Sequence, residues 1–187
     1  MKNLKVLMAM SIVFVMFSGF WSGETPAELI KEREIENAET LKLLYKHTPK
    51  AKILVESSYG YATFTNVGLY LPAISIEGGS GLAHNNKSGK DIYMNMGSAG
   101  IGFGLGIKDF RAIFIFKNKQ VFDSFVEEGW EANAQADAAA KSGEKGGALN
   151  AAVTVAPGIK LYRITVNGLA VQVNIQGTKY WKDGDLN

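Results

Sequence analysis

The chain has 187 residues, 47% of them hydrophobic and none of them cysteine, so it can form one domain with a sizeable core and cannot form disulfides. Its formal net charge of +2 comes entirely from Lys2 and Lys5, because the remainder carries 18 basic and 18 acidic side chains. This balance argues against the basic surface of a nucleic-acid-binding protein, and no nucleic-acid partner is expected.

Residues 1–23 have the layout of a secretory signal peptide. The basic stretch MKNLK is followed by twelve uncharged residues, VLMAMSIVFVMF, and then by the small residues of SGFWSG. The apolar run is shorter than the roughly 20 residues that a membrane span needs. Either a cleaved signal or an uncleaved N-terminal anchor fits this pattern. Both predict an exported protein, periplasmic or envelope-associated, whose single domain occupies residues 24–187.

The next segment predicts a helix from Pro26 to about His47. Thr25, Pro26 and Glu28 form a capping-box signature at its start. The spacing of the apolar residues predicts a stripe along one face, made of Leu29, Ile30, Leu41 and Leu44. The helix contains five glutamates and four basic residues, so it is not net basic. The stripe is expected either to pack on the rest of the domain or to contact a membrane. After Thr48 and Pro49, AKILVES predicts a second short helix or turn.

From Tyr59 onward the composition changes to glycine, β-branched and aromatic residues, which indicates strands. Eleven of the 21 glycines lie between Gly60 and Gly106. In GSAGIGFGLGIKDF the glycines from Gly100 to Gly106 fall at every second position, which is the period of a strand and not of a phosphate-binding turn. We predict one strand with a bare face that permits sharp curvature or close approach of another element. The structural glycines of this strand are Gly100, Gly102, Gly104 and Gly106.

Two hairpins and one further helix complete the predicted elements. AHNNKSGKD reads as the loop of a hairpin, and KQVFDSFVEEGW has helical spacing of apolar residues. KLYRITV and LAVQVNI are alternating runs joined by Asn167 and Gly168, which predicts a type I′ turn and adds Gly168 to the structural glycines.

Residues that carry catalysis or bind metals are scarce. The chain has two histidines, no cysteine and no HExxH motif, and GGSGL lacks the last glycine of a nucleophile elbow. Asp183, Asp185 and Asn187 begin like a calcium loop, but the distal glutamate that such a loop needs does not follow. We therefore predict neither an enzyme nor a metal site, and no cofactor.

The order of the segments AKILVESSYGYATFTNVG, EGGSGLAH, MGSAGIGFGLGIKDFRAIFIFKN, FDSFVEEGW and YRITVNGLAVQVNIQGTKYW resembles the SYLF domain family of lipid-binding proteins. The resemblance covers residues 51–181 and is greatest to the exported bacterial members. It implies a lipid or a membrane surface as the partner, and no catalytic set. Because the helix at Pro26–His47 is not net basic, attraction to anionic lipid is not expected to dominate.

Together these observations predict an α+β domain. A strongly curved, mainly antiparallel and partly barrel-like sheet is covered by the N-terminal helix and one further helix. The expected function is lipid or membrane binding in the bacterial cell envelope. The alternative is a periplasmic structural or protein-interaction module without a lipid ligand, whose protein partner stays open. The candidate lipid-contact residues are Leu29, Ile30, Leu41, Leu44, Trp130 and Trp181.

Overall fold

A computed structural model of the chain describes residues 23–71, 74–100, 106–132, 152–165, 168–169 and 177–187. The helices are α1 (Pro26–His47), α2 (Ala51–Ser57) and α3 (Lys119–Asp123), and α3 continues into a π-helical segment, Ser124–Glu128. The strands are β1 (Gly60–Leu71), β2 (Ile74–Asn85), β3 (Asp91–Gly100), β4 (Gly106–Phe116), β5 (Trp130–Glu131), β6 (Val153–Ala156), β7 (Ile159–Thr165), β8 (Gly168–Leu169) and β9 (Thr178–Lys182).

Helix α1 begins and ends where its capping residues predict. The Thr25 hydroxyl accepts a hydrogen bond from the Glu28 amide, and the Glu28 carboxylate accepts one of 2.7 Å from the Thr25 amide, which confirms the capping box. At the other end the Thr48 amide donates to the Leu44 carbonyl. Pro49 follows and cannot extend the helix, so the chain turns and α2 begins two residues later.

All described strands belong to one antiparallel sheet in the order β5-β9-β3-β2-β1-β4-β7-β6, with β8 beside β6 on the outer edge of β7. The predicted α+β class is therefore confirmed, as is the antiparallel sheet. Among the described residues no helix is both long enough and apolar enough to cross a membrane.

The sheet curls into a half-barrel. Phe114 of β4 and Tyr180 of β9 are separated by four strand steps, which would place them about 19 Å apart in a flat sheet. Their ring centroids are 4.8 Å apart, and Phe64 of β1 lies 4.7 Å from the same tyrosine ring. The face that carries these rings must therefore be concave.

The concave face holds the main core. Alternating residues of β3, namely Ile92, Met94 and Met96, are buried there as their spacing predicts. The helical segment predicted at KQVFDSFVEEGW closes this face with Phe122, Phe125 and Val126, which are all almost fully buried. Its second half is π-helical, which the sequence pattern does not distinguish from an α-helix.

The prediction that Gly100 and Gly106 belong to one bare-faced strand is wrong, because Gly100 ends β3 and Gly106 begins β4. β3 ends at Gly100 and pairs with β2, whereas β4 begins at Gly106 and pairs with β1, so the two strands lie on opposite sides of the β1–β2 hairpin. Gly102 and Gly104 lie outside the described residues. An alternating sequence pattern does not show where one strand ends and the next begins when both strands have the same alternation.

Close approach of a neighbouring strand occurs at two glycines of β2. A Cβ atom built on Gly79 would lie 2.1 Å from the Thr65 carbonyl oxygen, and one on Gly81 would lie 2.2 Å from the Thr63 carbonyl oxygen. Both positions belong to the concave face. Bare backbone on the inside of the curl is thus the feature that lets β1 and β2 approach.

Both predicted hairpins are present. β2 and β3 are joined through residues 86–90, where Gly89 has φ of 70°. In the second hairpin Gly168 pairs with Thr165, so Gly168 starts β8 and the turn is displaced by one residue from the predicted position. Residues 166–167 and 170–176 lie outside the described residues.

Candidate functional site

The apolar stripe of α1 packs on the convex face of the sheet. Leu29 and Ile30 contact a small cluster that contains Leu82, Tyr93 and Leu186. Leu44 is fully buried in a second cluster, and Leu41 packs against that cluster. The four helix residues that were candidates for lipid contact therefore face the sheet. Of the two expectations for the stripe, the structure agrees with packing on the rest of the domain.

A buried ion pair fixes α1 to the sheet. Arg33 donates hydrogen bonds to the Asp183 carboxylate at 2.8 Å, to the Asn95 side chain at 3.1 Å and to the Met94 carbonyl at 3.2 Å. Both charged side chains are at most 6% exposed. Burial by itself raises the pKa of Asp183, but the Asp185 amide, Arg33 and Asn95 outweigh it and hold that pKa below its ordinary value.

The C-terminal tail is bound to the same strand. The Asn187 side chain accepts a hydrogen bond from the Tyr93 amide and donates one to the Tyr93 carbonyl, both at 2.9 Å. These are the two hydrogen bonds that the backbone of a paired strand would form with Tyr93. The Asp185 amide donates to Asp183. Asp183, Asp185 and Asn187, whose spacing is that of the start of a calcium loop, are thus engaged in contacts within the protein. The described residues contain no cluster of three metal-ligating side chains.

A second buried charge pair lies on the concave face. Arg163 of β7 donates to both carboxylate oxygens of Glu77 of β2, at 3.2 and 3.0 Å, although two strands separate β7 from β2. The Asn66 amide donates to the same carboxylate, and the Arg163 guanidinium lies 4.1 Å from the centre of the Phe110 ring. The pair joins distant strands across the curl, which suits a structural role.

The two candidate tryptophans lie on opposite faces of the sheet. Trp130 is half-buried on the concave side, where its ring contacts Phe114, Phe125 and Tyr180. Trp181 is 41% exposed on the convex side, and its ring lies over Gly97, from whose ideal Cβ position it is 3.3 Å away. Of the six predicted contact residues, Trp181 is the one with a large exposed fraction.

Trp181 belongs to an exposed apolar surface that α1 leaves uncovered. Arg33 and Asn37 bond to Asn95 and Thr63, and farther along the convex face Val67, Gly78, Ala99 and Trp181 are exposed. Val67 is 52% exposed, and Gly78 has no atom within 4 Å of an ideal Cβ. We call this surface the glycine patch; it consists of Val67, Leu69, Ile76, Gly78, Gly97, Ala99 and Trp181.

The strand register makes the glycine patch continuous. Val67, Gly78 and Gly97 are successive partners across β1, β2 and β3, and Leu69, Ile76 and Ala99 form the next row. Within the first row the backbone of Gly78 is bare, and it lies between the side chain of Val67 and Gly97, which the Trp181 ring covers. The result is a shallow apolar surface with one aromatic ring at its side.

Charges beside the glycine patch occur as neutral pairs. Arg111 is paired with Asp109 on β4, and Lys179 is paired with Glu131 across β9 and β5. At the boundary with α1, burial and Glu32 raise the pKa of Glu36, while Arg111 counteracts this rise. The surface therefore has apolar character without a net charge of either sign.

The sequence analysis missed most of these residues. Arg163 has the same parity as Ile159 and Leu161, which places it on their face of β7, whereas Glu77 alternates with Ile74 and Ile76 and its burial has no signal in the sequence. Arg33 carries no comparable signal, because its partner lies 150 residues away in the chain. Val67 and Gly78 become neighbours only through pairing of β1 with β2.

The fold and this surface define an α+β half-barrel protein with helix α1 on its convex face and an uncovered apolar patch beside it. No protein-family model matches the chain. The chain is 38% identical over 143 residues to a curated protein named beta cell expansion factor A, from Aeromonas veronii. The match covers 76% of this chain and 53% of that protein, so the chain spans about half the length of the relative it matches.

Proposed function

We propose that the chain is a non-enzymatic lipid- or membrane-binding protein of the SYLF type that acts in the bacterial cell envelope. The observation that supports this proposal is the glycine patch, in which Val67 and Trp181 stay exposed beside bare glycine backbone. Exposed apolar patches of this kind mark contacts with membranes or proteins. A tryptophan ring is well suited to the boundary between lipid and water.

The charges of the domain support contact through apolar groups. The ion pairs Arg111–Asp109 and Lys179–Glu131 leave the patch without net charge, and residues 24–187 carry as many acids as bases. Attraction to anionic lipid weakens as the screening length falls to about 8 Å at 0.15 M salt, whereas burial of apolar surface does not. The proposed binding is therefore insensitive to salt and to the charge of the lipid.

The remaining parts of the proposal rest on other observations. The most deeply buried charged side chains form two ion pairs between distant elements, Arg33–Asp183 and Arg163–Glu77. Such pairing is what a structural role of these groups predicts. Export to the envelope rests on the signal-like pattern of residues 1–23. The SYLF assignment rests on the order of the sequence segments and agrees with the similarity to the Aeromonas protein.

Substitution of Trp181 by alanine is expected to weaken binding to vesicles about tenfold or more. The exposed 41% of this side chain corresponds to roughly 80 Å² of an indole of about 200 Å², worth about 2 kcal/mol at 25 cal/mol/Å². The loss of binding is measured by co-sedimentation of the full chain with phosphatidylcholine vesicles and with vesicles that contain anionic lipid. We expect similar wild-type binding to both, retained at about 0.5 M salt where exposed charges are screened.

Ile35→Ala is the matched control, because Ile35 is 50% exposed on α1, away from the glycine patch. The proposal predicts that this variant binds like the wild type. A loss with Ile35→Ala and none with Trp181→Ala would place the contact on α1. Binding to anionic vesicles alone, lost at moderate salt, would contradict the apolar mechanism. Absence of binding to every vesicle would favour a protein-interaction module.

A further inference from the structure

A groove of about 340 Å³ lies where α2 meets the ends of β4, β6 and β7, on the side of the domain away from Trp181. The apolar side chains of its floor are Leu54 and Ile115, which belong to the cluster on the convex face of the sheet. Ser57 and Thr154 form part of its rim. Its volume is within the range of about 300–1,000 Å³ that ligand sites occupy, near the lower end.

The walls of the groove are held by hydrogen bonds. The Ser58 hydroxyl lies 2.6 Å from the Val55 carbonyl oxygen and 3.0 Å from that of Gly60, which fixes the turn from α2 into β1. The Asn86 side chain donates to the Val55 carbonyl at 2.8 Å. On the opposite wall Gly158 turns the chain from β6 into β7 with φ of 80°. The groove is thus preformed and not a gap between loose segments.

Two lysines give the groove its charge. Lys117 and Lys160 line it, and none of its nine described lining residues is acidic. The Lys117 amide donates to the Gly158 carbonyl, so Lys117 lies opposite Gly158, two residues before Lys160. Lys117 and Lys160 are therefore diagonal neighbours on adjacent strands, with a spacing of about 7–8 Å between their Cα atoms. Neither forms an ion pair with the described residues, whereas Lys52, Lys119, Lys179 and Lys182 each do.

We propose that this groove binds one single-chain amphiphile with an anionic head group. The alkyl chain lies on Leu54 and Ile115, and the carboxylate or phosphate head lies between the ammonium groups of Lys117 and Lys160. An anion relieves the repulsion of two neighbouring cations that have no acidic partner in the described part of the chain. The apolar floor adds a requirement for a chain, which a free anion does not meet.

This site is separate from the glycine patch. The patch is a flat surface suited to a bilayer, whereas the groove is concave and has room for one short chain. Binding in the groove is measured with monomeric ligand and without vesicles. Failure of the groove proposal therefore leaves the vesicle experiment unaffected, and the reverse also holds.

Titration calorimetry of the full chain with hexanoate, octanoate and decanoate at neutral pH tests the inference. Affinity is expected to rise about fourfold for each methylene that enters the groove, and to level off when the floor is covered. Decanoate is expected to bind about fivefold more tightly than uncharged 1-decanol, because two exposed lysines contribute only modestly. Inorganic phosphate alone is expected to bind more weakly than decanoate.

Matched variants connect the binding to this groove. Lys117→Gln/Lys160→Gln is expected to abolish the preference for decanoate over decanol, whereas Lys87→Gln/Lys90→Gln removes the same charge from an exposed hairpin loop and should keep it. Thr154→Phe places a ring at the exposed rim and should weaken decanoate binding about tenfold or more, with little cost to β6, since strands accept phenylalanine.

Three results would overturn the proposal. The first is affinity that does not change with chain length, which would show an anion site only. The second is phosphate binding as tight as decanoate binding and unaffected by Thr154→Phe. The third is decanoate binding that survives the Lys117→Gln/Lys160→Gln and Thr154→Phe changes but is lost in Trp181→Ala, which would move the ligand to the glycine patch.

Discussion

Gly81→Ala is expected to lower the free energy of unfolding by about 3 kcal/mol, at the upper end of what overpacking costs. The new methyl group would lie 2.2 Å from the Thr63 carbonyl oxygen and 2.4 Å from a ring carbon of Phe64. The first contact is with backbone of the paired strand, which cannot move without breaking the β1–β2 ladder. For a chain of this size the melting temperature should fall by roughly 6–12 °C.

Gly78→Ala is the control for this prediction. Gly78 lies on the same strand three residues earlier, but on the convex face, with no atom within 4 Å of an ideal Cβ. Since alanine has the smaller backbone entropy cost, this variant should melt at or slightly above the wild-type temperature. Equal melting of the Gly78 and Gly81 variants would show that β1 does not approach β2 as closely as the structure has it.

Asp183→Asn is expected to lower the free energy of unfolding by about 3 kcal/mol, because it leaves the buried Arg33 guanidinium without its counter-charge. Denaturant unfolding measures the loss. Lys52→Gln provides the comparison, since its pair with Glu56 is about 60% exposed on both sides and should contribute under 1 kcal/mol.

A double-mutant cycle distinguishes the ion pair from other effects of the substitution. Arg33→Met should cost much less in the Asp183→Asn background than in the wild type, because the uncompensated charge is then removed. Equal costs in both backgrounds would contradict coupling between the two side chains.

The same pair predicts how stability depends on pH. The folded state holds the pKa of Asp183 below the unfolded value of about 3.9. Its contribution is therefore complete above that value and is lost as the pH falls through the folded pKa. The stability difference between the wild type and Asp183→Asn should shrink below about pH 4. A difference that stays constant from pH 7 to pH 3 would contradict this assignment.

Local patterns predicted the elements whose signals lie within a few residues of one another. The capping box of Thr25 and Glu28 and the stop at Pro49 predicted the extent of α1. Ile92, Met94 and Met96 alternate along β3, and all three lie on its buried face. Such signals depend on the geometry of one helix or one strand, which the sequence specifies directly.

The candidate sites were predictable only in part. The apolar stripe of α1 was predicted from the spacing of its residues and Trp181 from its residue type, and the structure packs the stripe against the sheet and leaves Trp181 exposed. The glycine patch needs the register of β1, β2, β3 and β9, and the groove needs α2 beside β7. Strand register depends on which face is buried, and that is decided by the whole sheet.

The sequence by itself determined that this chain has an α+β fold with an N-terminal helix, glycine-rich strands and balanced charge. Only the tertiary structure decided that Gly79 and Gly81 of β2 are closely approached by the backbone of β1. It alone paired Arg33 with Asp183 and Glu77 with Arg163, and it alone left Lys117 and Lys160 beside an apolar floor. The reason is physical: periodicity and capping act between neighbours in the chain, whereas curvature, ion pairing and exposure depend on contacts between strands far apart in sequence.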